Sequence, residues 1–116
     1  MFNVFVKIKN YGAGPMLIDN FTVQSAQSTH KRMIDAFSGL AEELTWDTFT
    51  DTIDGRALAP NAEFVLIKAT FDHTQNSIKA RVRAALAKMT LQLSYKDIYG
   101  RTQPAVTEPL SWFARH

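Results

Sequence analysis

Cysteine is absent from the chain, and that absence removes disulfide staples, thiolate-bound structural zinc and thiol catalysis together. It leaves the redox compartment unconstrained. Long hydrophobic runs are also missing: the longest unbroken aliphatic or aromatic stretch is "FVLI" at 64–67, against the roughly 18 residues that a membrane-crossing helix needs. No basic segment followed by an apolar one opens the sequence as a secretion signal would, so neither membrane insertion nor export of this segment is expected. Phe2 joins a strand pattern directly after Met1, which suits a complete short reading frame and an excised domain with a start methionine equally. No charge of one sign dominates, since 13 basic and 11 acidic side chains leave a formal net charge of +2, too little to draw the chain to a polyanion. No G-x-S-x-G or S-x-x-K nucleophile motif is expected, and "GAG" at 12–14 leads into Pro15 and a strand rather than a helix N-terminus, so it is not a phosphate loop.

What is present reads as one folded domain spanning 1–116. With 116 residues, 46% hydrophobic and 21% charged, the chain can bury most of its apolar surface around one core and is far from the composition of disordered segments. Phe2, Val4, Val6 and Ile8 alternate with Asn3, Phe5, Lys7 and Lys9, the period of a strand with one face on a core. "NYGAGP" then brings Asn10, two glycines free to take positive φ, and Pro15, which lacks an N–H, so the chain must turn a corner. "MLIDNFTVQ" resumes the pattern through Leu17, Phe21 and Val23, and a second strand is expected beside or across from the first.

Met33, Ile34, Phe37, Leu40, Ala41 and Leu44 recur at helical spacing behind Ser28 or Thr29, predicting an amphipathic helix over 31–44 with Gly39 as an earlier stop. "LTWDTFTDTI" favours a strand, and "DGRALAPN" a long turn around Asp54, Gly55 and Pro60. "AEFVLIKATF" is apolar on both faces, as a mid-sheet strand is. The segment 77–88 fits both periods: Ile78, Val82, Leu86 and Met89 suit a helix, while Ile78, Ala80, Val82, Ala84 and Leu86 suit a strand. Its alanines, lysines and arginines favour the helix, with Asn76 as N-cap. "TLQLSY" alternates again, and "KDIYGR" reverses the chain through Asp97 and Gly100. A last strand falls within 102–113, where Pro104 and Pro109 confine it to an edge or break it. The sum is six or seven strands with one or two short inserted helices, best accommodated by two packed antiparallel sheets. The alternative is an α+β cup, one curved antiparallel sheet with the 31–44 helix packed across it around a small-molecule cavity.

Three stretches taken together, "VKIKNYGAGPMLID", "LAPNAEFVLI" and "LSYKDIYGR", resemble a loose group of bacterial immunoglobulin-like β-sandwich domains of unassigned function. In that group an N-x-G-x-G-P corner follows the first strand, an L-x-P-x-x-E turn precedes a central strand, and a Y-x-D-x-x-G-R hairpin joins the last two. The resemblance implies an immunoglobulin-like antiparallel β-sandwich from a bacterium. Such domains are often the soluble part of membrane-anchored proteins, which implies a periplasmic or extracytoplasmic setting if an anchor has been removed, and a cytoplasmic one for the chain as given. Short frames in mobile gene cassettes are the other context it implies. No catalytic residue is carried over.

The side chains that carry chemistry are few. His30, His73 and His116 have the ordinary pKa of a general base near neutrality, but no H-x-x-x-H or H-E-x-x-H spacing exists, and Asp72 beside His73 on a strand would face the other way. Solvated loop residues are expected. Glu42, Glu43, Asp47, Asp51 and Asp54 offer oxygen ligands to calcium, yet the glycine and bidentate glutamate of a calcium loop are misplaced. Lys79, Arg81, Arg83 and Lys88 are the candidate contacts to an anion or nucleic acid, with Tyr95, Tyr99 and Arg101 nearby in sequence. On a helix these charges spread around the cylinder, whereas on a strand Lys79, Arg81 and Arg83 share one face. Trp46, Trp112, Phe113 and Tyr99 offer an aromatic patch for sugar or protein, although aromatics at strand positions more often belong to the core.

The expected function is a non-enzymatic interaction or ligand-binding module, working through loops at one end or an exposed edge strand. No cofactor, metal or catalytic residue is expected, the partner is a protein rather than a nucleic acid, and an apolar edge strand favours a homodimer. The rival readings are a small hydrolase or metal-dependent enzyme using His30 or His73 with a carboxylate, and a weak nucleic-acid binder using the basic 79–88 segment.

Overall fold

The structure, a computed structural model, describes residues 2–25, 28–37 and 46–114. Its strands are β1 (Phe2–Lys9), β2 (Met16–Gln24), β3 (Thr29–His30), β4 (Thr48–Phe49), β5 (Ala57–Leu58), β6 (Glu63–Phe71), β7 (Thr90–Lys96) and β8 (Val106–Pro109). One helix, α1 (Asn76–Ala87), joins β6 to β7, and short 3-10 turns occupy Met33–Ala36 and Ser111–Ala114. The chain is mainly β. It forms two antiparallel sheets, ordered β1-β6-β4 and β3-β2-β7-β8, with β5 alongside β2. Two separate sheets replace the single curved sheet of the α+β alternative.

The corner after Asn10 carries the chain from one sheet to the other, because β1 pairs with β6 while β2 pairs with β7. The apolar faces on either side of it therefore meet across a common interior. Val4 and Val6 from β1, Leu66, Ile67, Ala69 and Phe71 from β6, and Phe21 and Val23 from β2 are all buried in one cluster. The strand expected to lie mid-sheet, β6, has β1 on one side and β4 on the other, and its double-sided hydrophobicity follows from that position.

The face assignment of β2 needs correction. Leu17 does not share a face with Phe21 and Val23; it is exposed, and Met16 and Ile18 are buried instead. The ladder to β7 pairs Ile18 with Tyr95 and Asn20 with Ser94, leaving Asp19 as an extra residue. A one-residue bulge reverses the parity of every side chain beyond it, so even-numbered residues before Asp19 and odd-numbered ones after it point inward.

Segment 77–88 is helical, and its core contacts are Val82 and Leu86, both buried. Asn76 is not the N-cap. Gln75 takes that place without a side-chain cap, and the turn is closed instead by Asp72, whose carboxylate accepts the Thr74 N–H at 2.8 Å while the Gln75 side chain accepts the Asp72 N–H at 3.0 Å. Of the helix predicted over 31–44, residues 33–36 form the 3-10 turn and 38–44 lie outside the described residues. The strand predicted in "LTWDTFTDTI" contracts to β4. The last strand is both broken and marginal, as its prolines require: an isolated bridge joins Thr102 to Lys96, and β8 forms the outer edge of its sheet.

Candidate functional site

Asn10 is the one buried polar residue of the described chain, 6% exposed, and every polar group it owns is used. Its side-chain nitrogen donates to the carbonyls of Gly14 and Leu58, each at 2.9 Å, and its side-chain oxygen accepts the Gly12 N–H at 2.9 Å. Its backbone N–H donates to Ala62 at 3.1 Å and its carbonyl accepts from Asn61 at 2.8 Å. An asparagine here supplies both donors and an acceptor within one small amide, which no apolar residue could do. A Cβ on Gly12 would lie 3.2 Å from the Asn10 side-chain oxygen, a tight approach that one of the two would have to relieve by a small shift.

This pinned corner forms one end of an open groove of about 1150 Å³ between the edges of the two sheets. Its floor is apolar: Phe21 from β2, and Leu91, Leu93 and Tyr95 from β7. One bank is β1, with Lys7, Ile8 and Lys9; the other is β8, with Val106 and Glu108. Among the described residues no strand pairs with the outer side of β1. Since Asn10 bonds toward the β6 side, alternation along an antiparallel ladder turns the backbone N–H and C=O of Lys7 and Lys9 toward that open edge.

Four of the seven exposed large apolar side chains among the described residues line this groove: Tyr11 (82% exposed), Tyr99 (76%), Ile98 and Val106. Leaving so many on one surface is costly unless something covers them. Tyr99 and Ile98 are presented by the 97–101 turn. There the Asp97 carboxylate accepts the backbone N–H groups of Tyr99 and Arg101, both at 2.9 Å, and the Arg101 guanidinium at 2.8 Å. Gly100 supplies the positive φ of 77° that closes the turn. The Arg101 N–H, with the Arg101 guanidinium and the Tyr99 N–H, outweighs desolvation and holds Asp97 below the ordinary aspartate pKa. Arg101 in turn lies over the Tyr99 ring at 5.2 Å, and Lys9 over Tyr11 at 5.1 Å.

Of the residues singled out for chemistry, Tyr95, Tyr99 and Arg101 line the groove, whereas the basic residues of 79–88, His30, His73, Asp47, Asp51 and Asp54 do not. Lys79 and Arg83 lie one turn apart on one side of α1, and Arg81 and Lys88 lie on the other, given about 100° of rotation per residue. Arg83 donates to the Phe113 carbonyl at 3.0 Å and lies over its ring, so it helps dock the Ser111–Ala114 turn. His30 is half-buried on β3 with its Nε2 2.7 Å from the Ser28 hydroxyl, His73 is exposed before α1, and His116 lies outside the described residues. Among the described residues no three histidine or carboxylate groups assemble as metal ligands. The acidic stretch disperses: Asp47 accepts from Thr70, Asp51 meets Arg32 at 3.6 Å, and Asp54 meets Lys31 at 2.7 Å, while Glu42 and Glu43 lie outside the described residues. Of the four aromatics, Phe113 is buried, Trp46 packs on Phe37, Trp112 stacks on Phe113, and Tyr99 alone reaches the groove.

One expected absence is wrong, that of S-x-x-K, and one feature has almost no trace in the sequence. Ser28 and Lys31 have the S-x-x-K spacing of a serine nucleophile served by lysine. Here the spacing falls across β3, and the Lys31 ammonium is held by Asn20 and Asp54 while Ser28 bonds His30. The groove was the other, and its only sequence signal is the pairing of two turns that each carry a tyrosine beside glycine. No helix among the described residues is long and apolar enough to cross a membrane. Comparison with family models, with curated proteins and with solved structures finds no match to this chain.

Proposed function

We propose that the chain is a non-enzymatic interaction module of immunoglobulin-like build that takes an extended polypeptide segment into the groove beside β1. The observation carrying this reading is the open edge of β1 standing over an apolar floor. An added strand would satisfy the outward backbone groups, and its side chains would cover the exposed Tyr11, Ile98, Tyr99 and Val106, the two components of recognition by strand addition. The strand orders support the build. β1-β6-β4 and β3-β2-β7-β8 follow the B-E-D and C′-C-F-G orders of immunoglobulin sandwiches, in which strand A lies beside strand B, at the place open here. The N-x-G-x-G-P corner and the Y-x-D-x-x-G-R hairpin, which carry the resemblance to bacterial domains of this kind, are the two turns that frame the groove.

Selection from a displayed random-peptide library, followed by amide chemical-shift mapping of an enriched peptide on the labelled protein, tests the reading. Enriched sequences should alternate apolar and polar residues, and shifts should concentrate at 7–15, 91–95 and 106–108. Shifts centred on α1 or on the β3 edge, or no enrichment over a scrambled-surface control, would refute it.

A further inference from the structure

We propose that the segment taken by the groove, on the strand-addition reading just given, is an acidic one: Asp or Glu at alternate positions faces outward beside Lys9, and the apolar residues between them face the groove. The inference starts from how charge divides between the outer face of β1 and the inner face of β8. Val4 and Val6 are buried and Ile8 is half-buried, whereas Phe5, Lys7 and Lys9 are exposed, so both lysines stand on the outer face of their sheet. Lys9 is directly opposite Glu63 in the ladder, yet the Glu63 carboxylate is taken by Lys7 at 3.2 Å. Lys9 keeps only the Tyr11 ring, at 5.1 Å, and has no ion pair among the described residues.

The inner side of the groove carries the opposite sign. Glu108 is directly opposite the buried Leu91, so its side chain lies on the inner face of β8. Asp97, the other acid lining the groove, is held by Arg101 at 2.8 Å. A strand laid antiparallel along the open edge of β1 sets one residue opposite Lys9, where the two exchange both backbone bonds and their side chains share the outer face. An acid there meets Lys9 directly and Lys7 on the diagonal. The next residue turns into the groove, whose far bank carries Val106 and Glu108. At that position an acid would face a like charge beside apolar side chains, whereas an aliphatic residue covers them. The alternation that completes the open edge thus also sorts residue types.

Selection from a displayed library of short segments, in which Val, Ile or Leu alternates with positions drawn equally from Asp, Thr and Lys, tests the proposal on the full chain and on its Lys9→Glu variant. Lys9 is a surface residue, and circular dichroism checks that the variant folds. Wild type should enrich Asp over Lys at one alternate position, and Lys9→Glu should turn that preference toward Lys. As a synthetic peptide, the enriched sequence should lose about fivefold in affinity for wild type when that Asp is changed to Lys, regain it against Lys9→Glu, and show a smaller difference in high salt. Alternating segments that bind without preference for Asp, or with a preference that Lys9→Glu leaves unmoved, overturn the acidic inference while strand addition stands. A library from which nothing is enriched, or whose enriched peptides shift amides away from 7–15, overturns both.

Discussion

The side-chain nitrogen of Asn10 donates to the backbone carbonyl of Leu58 at 2.9 Å, joining residues 48 apart in sequence. That bond ties the corner between the sheets to β5, which itself pairs with the start of β2. Replacing Asn10 by alanine leaves the buried Leu58 carbonyl without its partner, together with the Gly14 carbonyl and the Gly12 N–H at the exposed corner. The expected loss is about 2–4 kcal/mol, read as a lower urea midpoint with unchanged slope. Asn10→Asp should lose a similar amount at neutral pH, because it sets carboxylate oxygen against two carbonyls.

Asp54 anchors the bulge of β2. Its carboxylate accepts the Phe21 N–H at 2.9 Å and the Lys31 ammonium at 2.7 Å. Burial alone would raise its pKa, but these hydrogen bonds and the charge of Lys31 outweigh burial and hold it below the ordinary value. Asp54→Ala should cost about 1–2 kcal/mol, reduced by the group's partial exposure. Amide exchange should quicken first at Asn20 and Phe21.

For Asp97 the test is pH. The turn binds the carboxylate form, so its contribution is complete above the ordinary aspartate pKa and disappears as pH falls through the lowered folded value. Carbon-detected NMR should find the Asp97 carboxyl titrating below the other exposed aspartates. The stability difference between wild type and Asp97→Asn should be present at pH 6 and vanish in acid. A difference that grows toward acid would contradict the assignment.

Leu86 carries α1 onto the core and is fully buried. Leu86→Ala should cost about 3 kcal/mol, whereas Lys88→Ala, at the exposed C-cap of the same helix, should stay within about 0.5 kcal/mol. Denaturant midpoints of the two variants compare them directly.

What the sequence determined by itself is the local syntax. Alternation in 2–9 and 90–96, the helix formers of 77–88, and the Asn-Gly-Pro and Asp-Gly turns all follow from backbone propensity and nearest-neighbour hydrogen bonding, which act over a few residues. Tertiary structure decided what depends on distant partners. The parity of β2 reversed at Asp19 because Arg56 and Asp54, more than thirty residues away, bond the backbone around it. Ser28 and Lys31 matched a catalytic spacing yet were drawn to different neighbours. The groove exists only because the turns at 10–15 and 97–101 are brought together when two apolar faces close on each other, and burial of that kind is blind to sequence separation.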